Sequence, residues 1–237
     1  MKKMKFTALL MSAALLLSSC GSTSNTAKGG IIGGASGAAI GALVGQLIGK
    51  GKGAAIGAGV GAAVGAGAGV LIGNKMDKAK KEAEKIQGAQ AELLTDGQGV
   101  SYVKVTFDSG ILFSSGKAAL TATAQQSLAQ FAQNVLTSDM DLAIVGFSDN
   151  DPWKGCTAEQ SQQKNKELSL QRAQSVSTYL QQKGATASQI KYVEGLGEEK
   201  PVADNSTAEG KKQNRRVEAY IIPSQEMIQS ANNGTLK

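Results

Sequence analysis

The stretch Asn165-Lys166-Glu167-Leu168-Ser169-Leu170-Gln171-Arg172-Ala173-Gln174-Ser175-Val176-Ser177-Thr178-Tyr179-Leu180 decides the fold. Ala173, Val176 and Leu180 recur at helical spacing, which predicts a helix over Leu170–Leu180 with Ser169 as its N-cap. Gly184, directly after Lys183, supplies the stop expected past a helix C-terminus. Short apolar runs flank this helix, Leu142–Phe147 before it and Ile190–Val193 after it, and both read as strands.

Further out the same alternation continues. Val100–Phe107 is β-branched and alternating, with Ile111–Phe113 prolonging the signal. Thr121–Leu136 opens on a capping threonine and sets Leu128, Phe131, Ala132 and Val135 along one helix face. A short helix near Thr207–Gln213 precedes a last strand, Val217–Ile222. The order strand, helix, strand, helix, strand, short helix, strand predicts an α/β sandwich over residues 100–222, with helices on one face of a mixed sheet. Residues 223–237 are expected to be a flexible tail.

Composition narrows the chemistry. The chain has no histidine, and its two cysteines are Cys20 and Cys156. Ser-His-Asp and Cys-His nucleophilic machinery is therefore excluded, as are zinc sites built from His and Cys. A purely carboxylate hydrolase is the one hydrolytic scheme left, and no further residue supports it. The expectation is a non-enzymatic protein without cofactor or metal. Discounting Lys2, Lys3 and Lys5, which lie in a segment expected to be removed, lowers the formal net charge from +6 to +3. That charge is spread along the chain, so nucleic acid is not the expected partner.

The N-terminus carries those three lysines and then an apolar run, Phe6–Leu17, too short to span a bilayer but fitting a secretory signal over residues 1–19. The run ends in Leu17-Ser18-Ser19-Cys20, which resembles the bacterial lipobox. The resemblance implies acylation of Cys20, a linker over residues 20–28 and firm membrane anchoring. Gly21, rather than an aspartate, follows the cysteine, and in such lipoproteins this implies the outer membrane.

From Gly29 to Gly73 a glycine falls at every fourth position, with Ala, Ile, Leu and Val between. Gly37-Ala38-Ala39-Ile40-Gly41 recurs as Gly53-Ala54-Ala55-Ile56-Gly57. On a helix this period lets backbones approach closely, whereas in water each glycine costs about 1 kcal/mol against alanine. Lys50 and Lys52 divide the ladder into Ile31–Ile48 and Ala54–Ile72, so a helical hairpin in or on a membrane, or one that self-associates into a homo-oligomer, is expected. This resembles the glycine-zipper segments of envelope lipoproteins, and a flexible stalk is the alternative. Residues 74–99 hold Asp77 and Lys81, and Lys78 and Glu82, at i,i+4 spacing and read as a solvated helical spacer.

Three motifs in the folded half carry a family resemblance. Gly146-Phe147-Ser148-Asp149, the pattern Asn165, Leu168, Ser169, Arg172, Ala173, Val176, Leu180, and Asn214-Arg215-Arg216-Val217-Glu218 together resemble the OmpA C-terminal-like, peptidoglycan-associated family. With lipobox and zipper ahead of it, the order looks most like the YiaD-like group of outer-membrane lipoproteins. The resemblance implies peptidoglycan as partner, bound through the diaminopimelate of its stem peptide. It further implies that Asp149 takes the ammonium and Arg172, near a helix start, holds the carboxylate. Asn165 would support the loop or donate to the ligand, and Phe113 and Ser114 would form the rim. The plain alternatives are a salt bridge between Asp149 and Arg172, Asn165 as a cap and Phe113 as core. The function implied is a tether between outer membrane and wall; the alternative is an envelope assembly or channel component that oligomerises through its zipper. One departure stands out: residues 150–164 are longer than the family's usual loop and carry Trp153 and Cys156.

Overall fold

The structure, a computed structural model, describes residues 64, 66–96 and 99–237. The signal segment, Cys20, the linker and the glycine ladder through residue 63 lie outside the described residues. In chain order the elements are α1 (Ala66–Ala83), β1 (Ala89–Thr95), β2 (Ser101–Asp108), α2 (Ser109–Leu112), α3 (Ala122–Gln130), β3 (Met140–Gly146), α4 (Ala158–Gln182), β4 (Ile190–Gly195), α5 (Ala208–Asn214), β5 (Arg216–Pro223) and α6 (Gln225–Asn232). A π-type turn, Phe131–Val135, prolongs α3.

The sheet runs β1-β2-β5-β3-β4. β3 and β4 are parallel, and the other neighbours are antiparallel. A parallel pair requires a crossover, and α4 provides it. Every residue of β3 and β5 is buried, as their near-continuous apolar runs require. Leu142 and Ile144 of β3 join Val217, Ala219 and Ile221 of β5 in the main core, where Ala173, Val176 and Leu180 of α4 and Leu128 and Phe131 pack on them. Phe107 meets Phe131 edge-on at 5.6 Å between ring centroids. The opposite sheet face gathers Tyr102, Ala143, Val145, Phe147, Leu196, Tyr220 and Ile222. The helical residues of the core all belong to the first cluster, so the expected α/β sandwich with helices on one face of a mixed sheet stands.

The domain is larger than 100–222. The expected spacer instead contains a fifth strand, β1, paired in full with β2, and a helix that is not solvated on all sides. Ala68, Ile72, Met76, Ala79 and Ala83 of α1 are buried against the sheet. The helical stripe is there, but alanines at three of its five positions make it inconspicuous. α1 also absorbs the end of the ladder: the hairpin arm expected to reach Ile72 has that residue fully buried in the domain core. Among the described residues no helix is long and apolar enough to cross a membrane. The expected flexible tail contains α6, capped by Ser224 and burying Met227, Ile228 and Ala231.

α4 is longer than the apolar spacing indicates. It starts at Ala158, behind a capping box of Thr157 and Gln160. Its first turns bury Ser161 and Asn165, polar residues that leave no hydrophobic signature. Ser169 is therefore mid-helix, not a cap: its hydroxyl donates to the Lys166 carbonyl at 2.7 Å and accepts from the Gly197 N–H at 2.9 Å.

Two glycines set how close α4 lies. Gly146 and Gly195 are register partners on β3 and β4. A Cβ on Gly146 would sit 2.0 Å from the Ser169 carbonyl oxygen, and one on Gly195 would sit 2.2 Å from the Leu170 nitrogen. Only glycine admits that contact, and it fixes Arg172 within a turn of the crossing point.

Candidate functional site

Asp149 follows β3 on a segment pinned from both sides. The Phe147 N–H donates to the Arg216 carbonyl at 2.9 Å, and the Ser148 N–H donates to the Gly197 carbonyl at 2.8 Å. Asp149 is 5% exposed, and its Oδ1 accepts the Asp151 N–H at 3.2 Å. Its Oδ2 accepts a charge-assisted hydrogen bond from Arg215 Nη1. Arg215, from the end of α5, is thus the partner of Asp149 in the free protein.

Arg172 is held apart from that pair. It is 4% exposed, donates through Nε to the Lys117 carbonyl at 3.0 Å, and places its guanidinium 5.2 Å from the Phe113 ring centroid. No salt bridge joins it to Asp149, so the plain alternative of a mutual pair fails. The groups still share one field. Burial pulls the Arg172 pKa below its usual value, Asp149 opposes that, and Arg215 adds to it. Arg172 also lies in the middle of α4, so helix N-terminal N–H groups do not assist it as expected from a start near residue 170.

Phe113 is both core and floor. It is 3% exposed and packs in the main cluster while its ring backs the guanidinium. Ser114 is exposed in the adjoining turn, where its carbonyl accepts the Lys117 N–H at 3.0 Å. The structure therefore brings Phe113, Ser114, Arg172 and Asp149 to one region.

Asn165 has its side chain committed to the long loop. Its Nδ2 donates to the carbonyls of Asp149, at 3.4 Å, and Asp151, at 3.1 Å, and its Oδ1 accepts Trp153 Nε1 at 2.7 Å. The Trp153 N–H donates to Ser161 Oγ at 3.0 Å, and Asp151 pairs with Lys211 at 2.7 Å. The extra residues are thus folded onto the polar first turns of α4, which explains why those turns carry Ser161 and Asn165. Cys156 is a free, half-buried thiol with Lys164 Nζ 3.1 Å from its sulfur.

Sequence reading missed Arg215 as the partner of Asp149. The signal was the pair Arg215-Arg216, which the chain splits between two environments. Arg216 is 5% exposed, bonds Glu218 Oε1 through Nε at 2.7 Å and stacks 3.7 Å over Phe147, while Arg215 remains at the surface of the site. An open groove of about 490 Å³ runs between α3 and α4, lined by Gln125, Gln171, Gln174, Tyr179 and others, but it holds no charged group.

Residues 112–215 match the family model described as OmpA family, and residues 1–77 match that of the YMGG-like Gly-zipper. The chain is similar to Outer membrane protein A of Bordetella avium, at 39% identity over 122 residues covering 51% of this chain and 58% of that protein. It is similar to the probable lipoprotein YiaD of Escherichia coli K12, at 33% identity over 155 residues covering 64% and 65%. It thus spans less than two thirds of these relatives. Among solved structures, the cell wall anchor of the T6SS from Pseudomonas aeruginosa aligns at a TM-score of 0.51 and 28% identity, covering 63% of this chain and 97% of that one. The OmpA-family match spans the residues that carry Phe113, Ser114, Asp149, Asn165 and Arg172, and the YMGG-like Gly-zipper match lies ahead of it.

Proposed function

We propose that this domain binds peptidoglycan without cleaving it, through the free end of diaminopimelate in the stem peptide, and so tethers a lipid-anchored protein to the cell wall. One observation carries the reading: a buried carboxylate, Asp149, and a buried guanidinium, Arg172, lie in one electrostatic neighbourhood without neutralising each other. That arrangement complements a ligand with an ammonium and a carboxylate at fixed separation. Asp149 accepts the ammonium, Arg172 forks onto the carboxylate, Phe113 backs the guanidinium, Ser114 lines the rim and Asn165 holds the loop. A solved relative described as a cell wall anchor, and a curated relative named a probable lipoprotein, support the anchoring and the lipid at Cys20. The outer membrane as destination follows from the residue after Cys20. A second reading, an assembly protein that oligomerises through its ladder, is weakened by α1, which buries Ala68 and Ile72 of the last ladder turns in the domain's own core.

The test is sedimentation of the full-length protein in detergent with diaminopimelate-type peptidoglycan. Asp149→Ala and Arg172→Ala should stay in the supernatant while circular dichroism shows them folded. Undiminished pelleting of both variants refutes the site, and release of soluble muropeptides refutes the non-catalytic reading.

A further inference from the structure

The sheet face opposite the helices is buried, yet none of the described helices lies on it. Arg216, Glu218, Tyr220 and Ile222 alternate along β5 onto that face, beside Ala143 and Val145 of β3 and Tyr102 of β2. Ala143, Val145, Tyr220 and Ile222 are 0–1% exposed, and the paired Arg216 and Glu218 each have 5% side-chain exposure. This apolar cluster consists of strand residues with Phe147 and Leu196, and Leu94 and Tyr192 pack against it. The segment after β4 closes one end, where the Lys200 carbonyl accepts from Arg216 at 3.2 Å. An open outer sheet face is polar and in contact with water. This one is apolar and dry, which requires a second layer.

The residues ahead of α1 have the composition and the reach to supply it. α1 packs over β1 and β2, and β1 is the edge of the sheet. Between residues 33 and 63 the charged residues are Lys50 and Lys52, and the rest is mostly Gly, Ala, Ile, Leu and Val. A helical path over those residues is about 46 Å long, whereas five strands span about 19 Å from edge to edge. The segment can therefore turn around β1 and cross the whole face. A glycine at every fourth position presents a low surface to the rings of Tyr102 and Tyr220, and the aliphatic residues between meet Val145 and Ile222. A bilayer is a poorer occupant, because Glu92, Lys104 and Asp141 share this face and would meet lipid.

We infer that residues 33–63 of the same chain dock on the outer face of the sheet and form its second layer. The ladder is then engaged by its own domain. Self-association or membrane insertion through it competes with that docking. The peptidoglycan site lies outside this contact, and the two readings stand or fall separately.

The experiment places the photo-crosslinking residue p-benzoylphenylalanine at position 192, in place of the half-buried Tyr192, in the full-length protein in detergent. Isotopically heavy and light protein are mixed before irradiation, and crosslinked peptides are sequenced by mass spectrometry. The expected products join position 192 to residues 33–63 and are purely heavy or purely light. The same probe at Gln174, on the helix side, should give none of them. Circular dichroism checks folding, and a second probe at Leu94 replaces the first if that variant does not fold. Mixed heavy–light products show a second copy on the face and overturn the inference. Adducts with detergent alone, or no crosslink to residues 33–63 from either probe, overturn it as well.

Discussion

Glu218 sits at the end of a buried chain of interactions that begins beside the site. Arg216 and Glu218 each have 5% side-chain exposure and are joined at 2.7 Å; Tyr220 donates its hydroxyl to the other Glu218 oxygen. Arg216 has two further acceptors, the Asn214 carbonyl at 3.3 Å and the Lys200 carbonyl at 3.2 Å, both neutral. Glu218→Ala therefore leaves a dehydrated cation with two weak acceptors and a buried phenol without one. Breaking a buried pair from one side costs about 3–5 kcal/mol. Set against a total stability of about 5–15 kcal/mol, this is about a fifth or more of what holds the domain together. With a urea m-value of about 2 kcal/mol per molar, the midpoint should fall by roughly 2 M. Urea unfolding followed by far-UV circular dichroism and by fluorescence of Trp153 measures it. Replacing both members together, as Arg216→Met with Glu218→Leu, should restore most of the loss, because no charge is then left stranded. A midpoint shift below about 0.5 M for Glu218→Ala, corresponding to roughly 1 kcal/mol, would mean that Arg216 reaches water and would refute the reasoning.

Three further outcomes are expected. Gly146→Ala, whose Cβ would lie 2.0 Å from a backbone oxygen of α4, should destabilise the domain by about 3 kcal/mol or more and weaken pelleting with peptidoglycan, since α4 must move with Arg172 on it; a wild-type midpoint would contradict the packing. Met76→Ala should cost about 2–5 kcal/mol in urea unfolding, because α1 is part of the core and not a spacer. Asp141 has its pKa pushed up to about 6 by burial, with Lys191 opposing. A carboxyl raised in the folded state favours folding when protonated, so stability should fall as pH rises from about 4 to about 6. Asp141→Asn should flatten that slope, measured as urea midpoints across the range.

What the sequence disclosed tracks where side chains carry a strong pattern. β3, β5 and the apolar half of α4 announce themselves through Leu142–Phe147, Val217–Ile222 and Ala173, Val176, Leu180, and the two charged groups of the proposed site, Asp149 and Arg172, follow from motifs on their flanks. The elements that escaped are those whose buried faces are small or polar. β1 reads Ala-Gln-Ala-Glu-Leu-Leu-Thr and is an edge strand without β-branched alternation. α1 buries alanines, and the first turns of α4 bury Ser161 and Asn165 because they face a polar loop. Arg215 escaped for a different reason: a pair of adjacent arginines says nothing of which one turns inward until Glu218 and Phe147 are in place.

In the proposed function, one site reads both charges at the free end of diaminopimelate. It is tested most directly by titrating the full-length protein with two stem tripeptides that differ only in their third residue, diaminopimelate or lysine. Lysine offers the ammonium for Asp149 but no carboxylate for Arg172. The diaminopimelate peptide should bind at least about tenfold more tightly, and Arg172→Ala should erase the difference. Equal affinity of wild type for the two peptides would contradict the account.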